Sequence, residues 1–159
     1  MTPDGLREHI AKALDWEDAH VSFDRAVDDV PETARGAVPR GFAWSIWQLV
    51  EHIRLVQFDI LDFCRNAVYV EPSSMAEYWP QSIEPPSPKH WDDALVAVRL
   101  DREALKALAR DPDLDLFDRV PAGTGQTFLR ELILVADHSA YHVGQIVALR
   151  RALGIWTEA

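Results

Sequence analysis

Cysteine, positive charge and long apolar runs are all scarce in this chain. Cys64 is the single cysteine, so no intrachain disulfide can form and a reducing compartment is permitted. Sixteen Lys and Arg stand against 26 Asp and Glu, a formal charge of -10 at pH 7. That is the reverse of the basic footprint by which proteins neutralise phosphates, so no nucleic-acid partner is expected. An anionic membrane surface is disfavoured for the same reason. Charges are expected to interrupt every apolar stretch before it reaches the ~20 residues of a membrane span. Met1–Gly5 holds no cationic segment followed by an apolar run, so no signal peptide is expected and the expected location is cytoplasmic. There is no internal repeat or low-complexity tract, and no segment alternates for long enough to support a sheet.

What is present suits one helical domain over residues 1–159, with 48% hydrophobic and 26% charged residues. A first helix is expected to open with Thr2 as N-cap and Pro3 at the first helical position. It would run through Trp16 and continue or kink into 19–30 before Pro31. The second spans roughly 42–66, with Ile46, Leu49, His52, Ile53, Val56, Ile60 and Phe63 at the spacing of a buried stripe. Between Ala67 and Lys89 the periodicity vanishes and Pro72, Pro80, Pro85, Pro86 and Pro88 appear. Proline removes amide donors, so this is a long crossover or covering loop that Tyr78 and Trp79 can pack down. A third helix runs from about His90 to Arg110. The fourth runs from Gln126–Thr127 to Leu153, with Gly154 as its natural stop. Four helices with mixed connection lengths predict an all-α four-helix bundle, with the proline-rich connection between the second and third.

Three histidines stand out. On a wheel of 100° per residue, His138 and His142 lie ~40° apart, one turn above the other. They share a stripe with Val135, Gln145, Ile146 and Leu149, so both imidazoles face the core. His52 shares its own stripe with Leu49, Val56 and Phe63. Buried imidazoles are costly unless their nitrogens are satisfied, and a divalent cation does that well. Three protein ligands would leave a position open for water or substrate. A hydrogen-bonded polar core is the alternative. Ser139 occupies the place of the base in a zincin motif, so the pair is not of that kind.

Asp59 and Gln145 fall within ~20° of the ligand stripes and are candidates to orient an imidazole or meet substrate. For Asp59 a polar role near a bundle end competes with this. His9, His20 and His90 are expected at the surface, with His20 a distant candidate fourth ligand. Glu51 lies ~100° around the helix from His52 and is not assigned as a ligand. Cys64 is read as a structural thiol, the tryptophans as packing anchors, and Arg150–Arg151 as complements to the helix dipole.

The run Trp44-Ser45-Ile46-Trp47-Gln48-Leu49-Val50-Glu51-His52-Ile53 resembles the second-helix motif of the DinB/YfiT-like superfamily of metalloenzymes. Ala136-Asp137-His138-Ser139-Ala140-Tyr141-His142-Val143-Gly144-Gln145-Ile146, followed by Leu149 to Gly154, resembles its last-helix motif. The resemblance extends over most of the chain. It implies an up-down-down-up bundle holding a divalent metal, commonly zinc or nickel, through histidines that match His52, His138 and His142. It also implies a tendency to form homodimers, and, from some relatives, thiol-dependent transfer or isomerisation with a low-molecular-weight thiol. The expected function is therefore metal-dependent chemistry on a small-molecule substrate, as a thiol-dependent S-transferase or isomerase. The alternatives are a metal-dependent hydrolase using Asp59 as base, and a non-catalytic bundle that binds a metal or small ligand.

Overall fold

In the computed structural model, which describes residues 3–157, helices begin where side chains can cap them. Six are found: α1 Pro3–Ala13, α2 Phe23–Val27, α3 Glu32–Arg35, α4 Ile46–Arg65, α5 Pro88–Arg110 and α6 Phe128–Ala152. Ser45 opens α4 with a full capping box, its hydroxyl accepting from the Gln48 amide while the Gln48 side chain accepts from the Ser45 amide. Ser87 and Thr127 cap α5 and α6 one way only, their hydroxyls accepting from the His90 and Arg130 amides, and Pro88 sits at the start of α5. α6 ends as the sequence predicts. Gly154 takes φ +69°, and the amides of Gly154 and Ile155 bond back to the carbonyls of Arg151 and Arg150. Among the described residues there is no strand, only an isolated bridge between Arg119 and Thr127.

The first helix departs from expectation. It stops at Ala13 rather than Trp16, and only Phe23–Val27 of the segment expected to continue it is helical before the short α3. The proposed cap, Thr2, lies outside the described residues. The break has an electrostatic cause. Asp15, Glu17 and Asp18 would crowd the negative end of a longer helix. Instead Asp15 reaches Lys106 at 2.8 Å and Arg102 at 3.3 Å, and Asp24 reaches Arg102 at 2.6 Å, all on α5. Ser22 then supplies a fresh cap. The fold is all-helical as expected, with six α-helices among the described residues, of which α1, α4, α5 and α6 are the long ones.

α4 packs against α5 and α6, and α1 lies against α5. The apolar core falls into two parts. Ile46, Leu49 and Ile53 of α4 meet Trp91 and Val98 of α5 and Val143, Ile146 and Leu149 of α6. At the other end Ile60, Leu61 and Cys64 meet Leu105, Leu132 and Val135. α4 and α5 therefore run the same way and α6 runs against them. Parallel neighbours need a long return, and the proline-rich segment after α4 provides it. It crosses so close to Gly36 that a Cβ there would come within 2.6 Å of the Glu84 Cβ.

By length and composition α6 could cross a membrane, although Asp137 interrupts its apolar run. Here its apolar face fills both parts of the core, and the stretch between them carries His138 and His142.

Candidate metal centre

Between the two apolar clusters lies a polar layer. His52 and Gln57 contribute from α4, and His138 and His142 from α6. Gln57 is satisfied, its amide donating to the Val98 carbonyl at 2.7 Å. The histidines turn to one another: the three ring centroids are separated by 4.9, 4.7 and 4.5 Å. One nitrogen from each lies within 4.8 Å of the other two, so the group could hold a metal ion. His52 and His142 are buried and His138 is half-buried.

Two of the three rings are set in one tautomer. His52 donates from Nδ1 to the Tyr78 carbonyl at 2.7 Å. His142 donates from Nδ1 to the Gln145 side-chain oxygen at 2.7 Å, and the Gln145 amide in turn donates to the Tyr141 hydroxyl at 3.1 Å. Each bond leaves the opposite nitrogen, Nε2, unprotonated, with a lone pair that can accept a proton or ligate a metal. His138 Nε2 lies 3.1 Å from His52 Nε2, so in the absence of a cation His138 donates its Nε2 proton to the His52 lone pair, the proton a metal would displace. Two imidazoles on one tetrahedral zinc, at ~2.0–2.1 Å each, would place their nitrogens roughly 3.3 Å apart. The His52–His138 spacing is close to that value, and the third imidazole presents a nitrogen within 4.8 Å of both, so the donor set suits a divalent cation.

Electrostatics favour neutral rings. Burial lowers the pKa of His52, with the neighbouring His142 adding to the effect. Burial also lowers His142. His138 is pushed down to about 3, first by burial and then by His142 and His52. Unprotonated imidazole is the ligating form.

A loop closes one side. Trp79 lies flat on the His52 ring at 3.8 Å, and Trp44 stacks on the other indole face at 4.0 Å. Trp79 follows a 3-10 turn, Met75–Tyr78, capped by Ser74. The same short segment therefore fixes His52 twice, through the Tyr78 carbonyl and the Trp79 ring.

Of the residues singled out in the sequence, His52, His138, His142 and Gln145 come together. Asp59 does not join them directly. Both of its oxygens are engaged, by the hydroxyls of Tyr69 at 2.8 Å and Tyr78 at 2.9 Å, and it is tied to the triad through Tyr78. Glu51 pairs with Arg54 at 2.6 Å. His9, His20 and His90 are exposed, and His20 is outside the triad. Cys64 is buried, and burial with nearby Glu131 pushes its thiol up to about 12. Arg150 bonds the Ala26 carbonyl at 2.8 Å and stacks on Trp156, a structural use. Sequence reasoning missed Trp79 and Tyr141 as site residues. Tyr141 could have been found from its i,i+4 relation to Gln145. The stacking of Trp79 on His52 is a contact between residues distant in sequence, and no spacing announces it.

No curated protein and no solved structure matches the chain. A family model does, that of the DinB superfamily, over residues 15–146. With that match covering most of its length, the chain belongs to the DinB superfamily.

Proposed function

We propose that this protein is a divalent-metal-dependent enzyme, with His52, His138 and His142 as ligands, and that it transfers or isomerises a small electrophile with the help of a low-molecular-weight thiol. What carries this reading is the convergence of three imidazoles, two of them held by Nδ1 hydrogen bonds that leave Nε2 unprotonated. Zinc or nickel suits such a set. A cation held by three side chains keeps an open position, where it would lower the pKa of a bound thiol or water.

The chain's own residues favour the thiol over hydrolysis. Hydrolysis needs a general base beside the attacking water, and Asp59, the candidate, has both oxygens occupied by tyrosine hydroxyls. A thiol ionises more readily and needs no such base. Its proton passes to solvent, sulfur bonds the electrophilic carbon, and the leaving group departs with its electron pair. Gln145 and the Tyr78 carbonyl hold the ligand rings, and Trp79 keeps water from one face of His52.

Metal analysis of protein purified without a histidine tag, followed by turnover of a chromogenic aryl halide with and without added glutathione or cysteine, tests the proposal. About one metal per chain and thiol-dependent turnover, both lost in His52→Ala, are expected. Turnover of an ester without thiol would favour the hydrolase. Failure to load zinc, nickel, iron or manganese would leave the histidines as a polar core.

A further inference from the structure

We infer that the cavity beside the triad, at the end where α4 finishes and α6 begins, binds a small organic cation, an amine or guanidine. Calling that cation a reactant rests on the metal-dependent reading above; its binding does not.

The cavity has a volume of about 480 Å³, within the range of small-molecule sites. Its charged wall is Asp59, Glu71, Glu131 and Arg130, and Tyr69, Tyr78, Thr124 and Gln126 are the neutral polar residues of the lining. It adjoins the histidines through shared residues. Tyr78 gives its ring to the cavity and its carbonyl to His52. Leu134, also in the wall, is one helical turn before His138, roughly 6 Å along the axis.

The chemistry of that wall selects for hydrogen-bond donors and positive charge. Three carboxylates face one guanidinium, and that guanidinium is already paired: Arg130 meets Glu131 at 2.6 Å. Arg130 lies at the rim with 57% of its side chain exposed, whereas the Glu131 side chain is 2% exposed. A buried carboxylate is costly to leave without a positive partner, and Glu131 lines the cavity together with the exposed Glu71. The two phenols add acceptors. Both spend their protons on Asp59, so what they offer a ligand is oxygen lone pairs. An anionic molecule would meet three carboxylates against one guanidinium, and a cationic one would meet that excess of acceptors.

Three probes with one four-carbon skeleton isolate charge: 1,4-diaminobutane, butane-1,4-diol and succinate. Binding to the intact protein is followed by ligand-observed NMR and calorimetry at moderate salt. The diamine is expected to bind, the diol more weakly and succinate not at all. Glu71→Gln, at an exposed position, and Glu131→Gln should each weaken the diamine about tenfold, the usual worth of a charge-assisted hydrogen bond. Glu17→Gln, which removes the same charge from a remote exposed position, should leave it unchanged. Tighter binding of succinate, or equal weakening in all three variants, would overturn the inference. Cobalt-loaded protein separates the two proposals. Paramagnetic relaxation of the bound diamine would place it near the triad. Cobalt loading without diamine binding sinks the cation site alone. Diamine binding to protein that never takes up cobalt supports the cation site and sinks the metal reading.

Discussion

Replacing Gln145 by leucine should weaken metal binding without removing a ligand. The Gln145 side-chain oxygen accepts the Nδ1 proton of His142 at 2.7 Å, and His142 is only 7% exposed, so water cannot readily take over. Leucine has nearly the same volume but no acceptor. The Nδ1–H is then either left unpaired, at about 1–3 kcal/mol, or the proton moves to Nε2 and occupies the lone pair the metal needs. Both routes raise the free energy of the ligating tautomer. With tenfold per 1.4 kcal/mol, affinity should fall roughly 10- to 100-fold, the usual effect of losing a partner behind a metal-binding imidazole. Competition between protein and a chromogenic chelator for zinc at pH 7.5 reads this directly. Urea unfolding of the metal-free proteins shows that the fold persists. Gln145→Glu keeps an acceptor and should stay within about tenfold of the parent. If Gln145→Leu binds zinc within twofold of the parent while His142→Ala releases it, the hydrogen bond does not set the tautomer and the reasoning fails.

Alanine at His52, or at both His138 and His142, should abolish stoichiometric zinc while leaving helical circular dichroism intact; retained metal in either variant would remove that histidine from the ligand set. Stability of the metal-free protein should fall with acid. The histidine pKa values are lowered on folding, to about 3 for His138, so the unfolded chain takes up protons first once pH drops below ~6.5. The His138 contribution is complete above ~6.5 and is lost progressively as pH falls toward about 3, by at most ~1.4 kcal/mol per pH unit. His138→Leu should flatten the profile in urea titrations, and an unchanged slope would contradict it. Trp79→Ala removes the ring stacked at 3.8 Å on His52 and should weaken zinc about two- to tenfold while amide exchange rises across residues 75–83. Unaltered exchange there would show that the indole does not hold the loop. Arg102→Leu strips Asp15 and Asp24 of a shared partner, and because their side chains are 30% and 38% exposed the cost should be about 1–3 kcal/mol, below that of a fully buried pair. A urea midpoint that does not move would show the ion pairs to be ornamental.

Much of this protein is written locally. Ser45, Ser87 and Thr127 each precede an amphipathic run, and a capping side chain acts on amides only three residues away, so the starts of α4, α5 and α6 were legible to within a few residues. Gly154 marked the end of α6 for the same kind of reason. Helical spacing put His138, His142 and Gln145 on one face, because 3.6 residues per turn is a property of the backbone alone. The acidic break after α1 was harder to see. Its cause is the set of cations on α5 some 80 to 90 residues downstream, and propensity carries no record of them.

Only the tertiary structure decided that α4 and α6 meet at the level of the histidines. It also turned Asp59 toward two tyrosines and brought Tyr78 and Trp79 back over His52. The physical reason is common to all three. Periodicity says which face a side chain occupies, whereas the partner across that face is chosen by long-range packing of apolar surface, which is not directional. The sequence by itself could name the histidines. It took the antiparallel register of α4 and α6, and the return of the proline-rich segment, to make them one site.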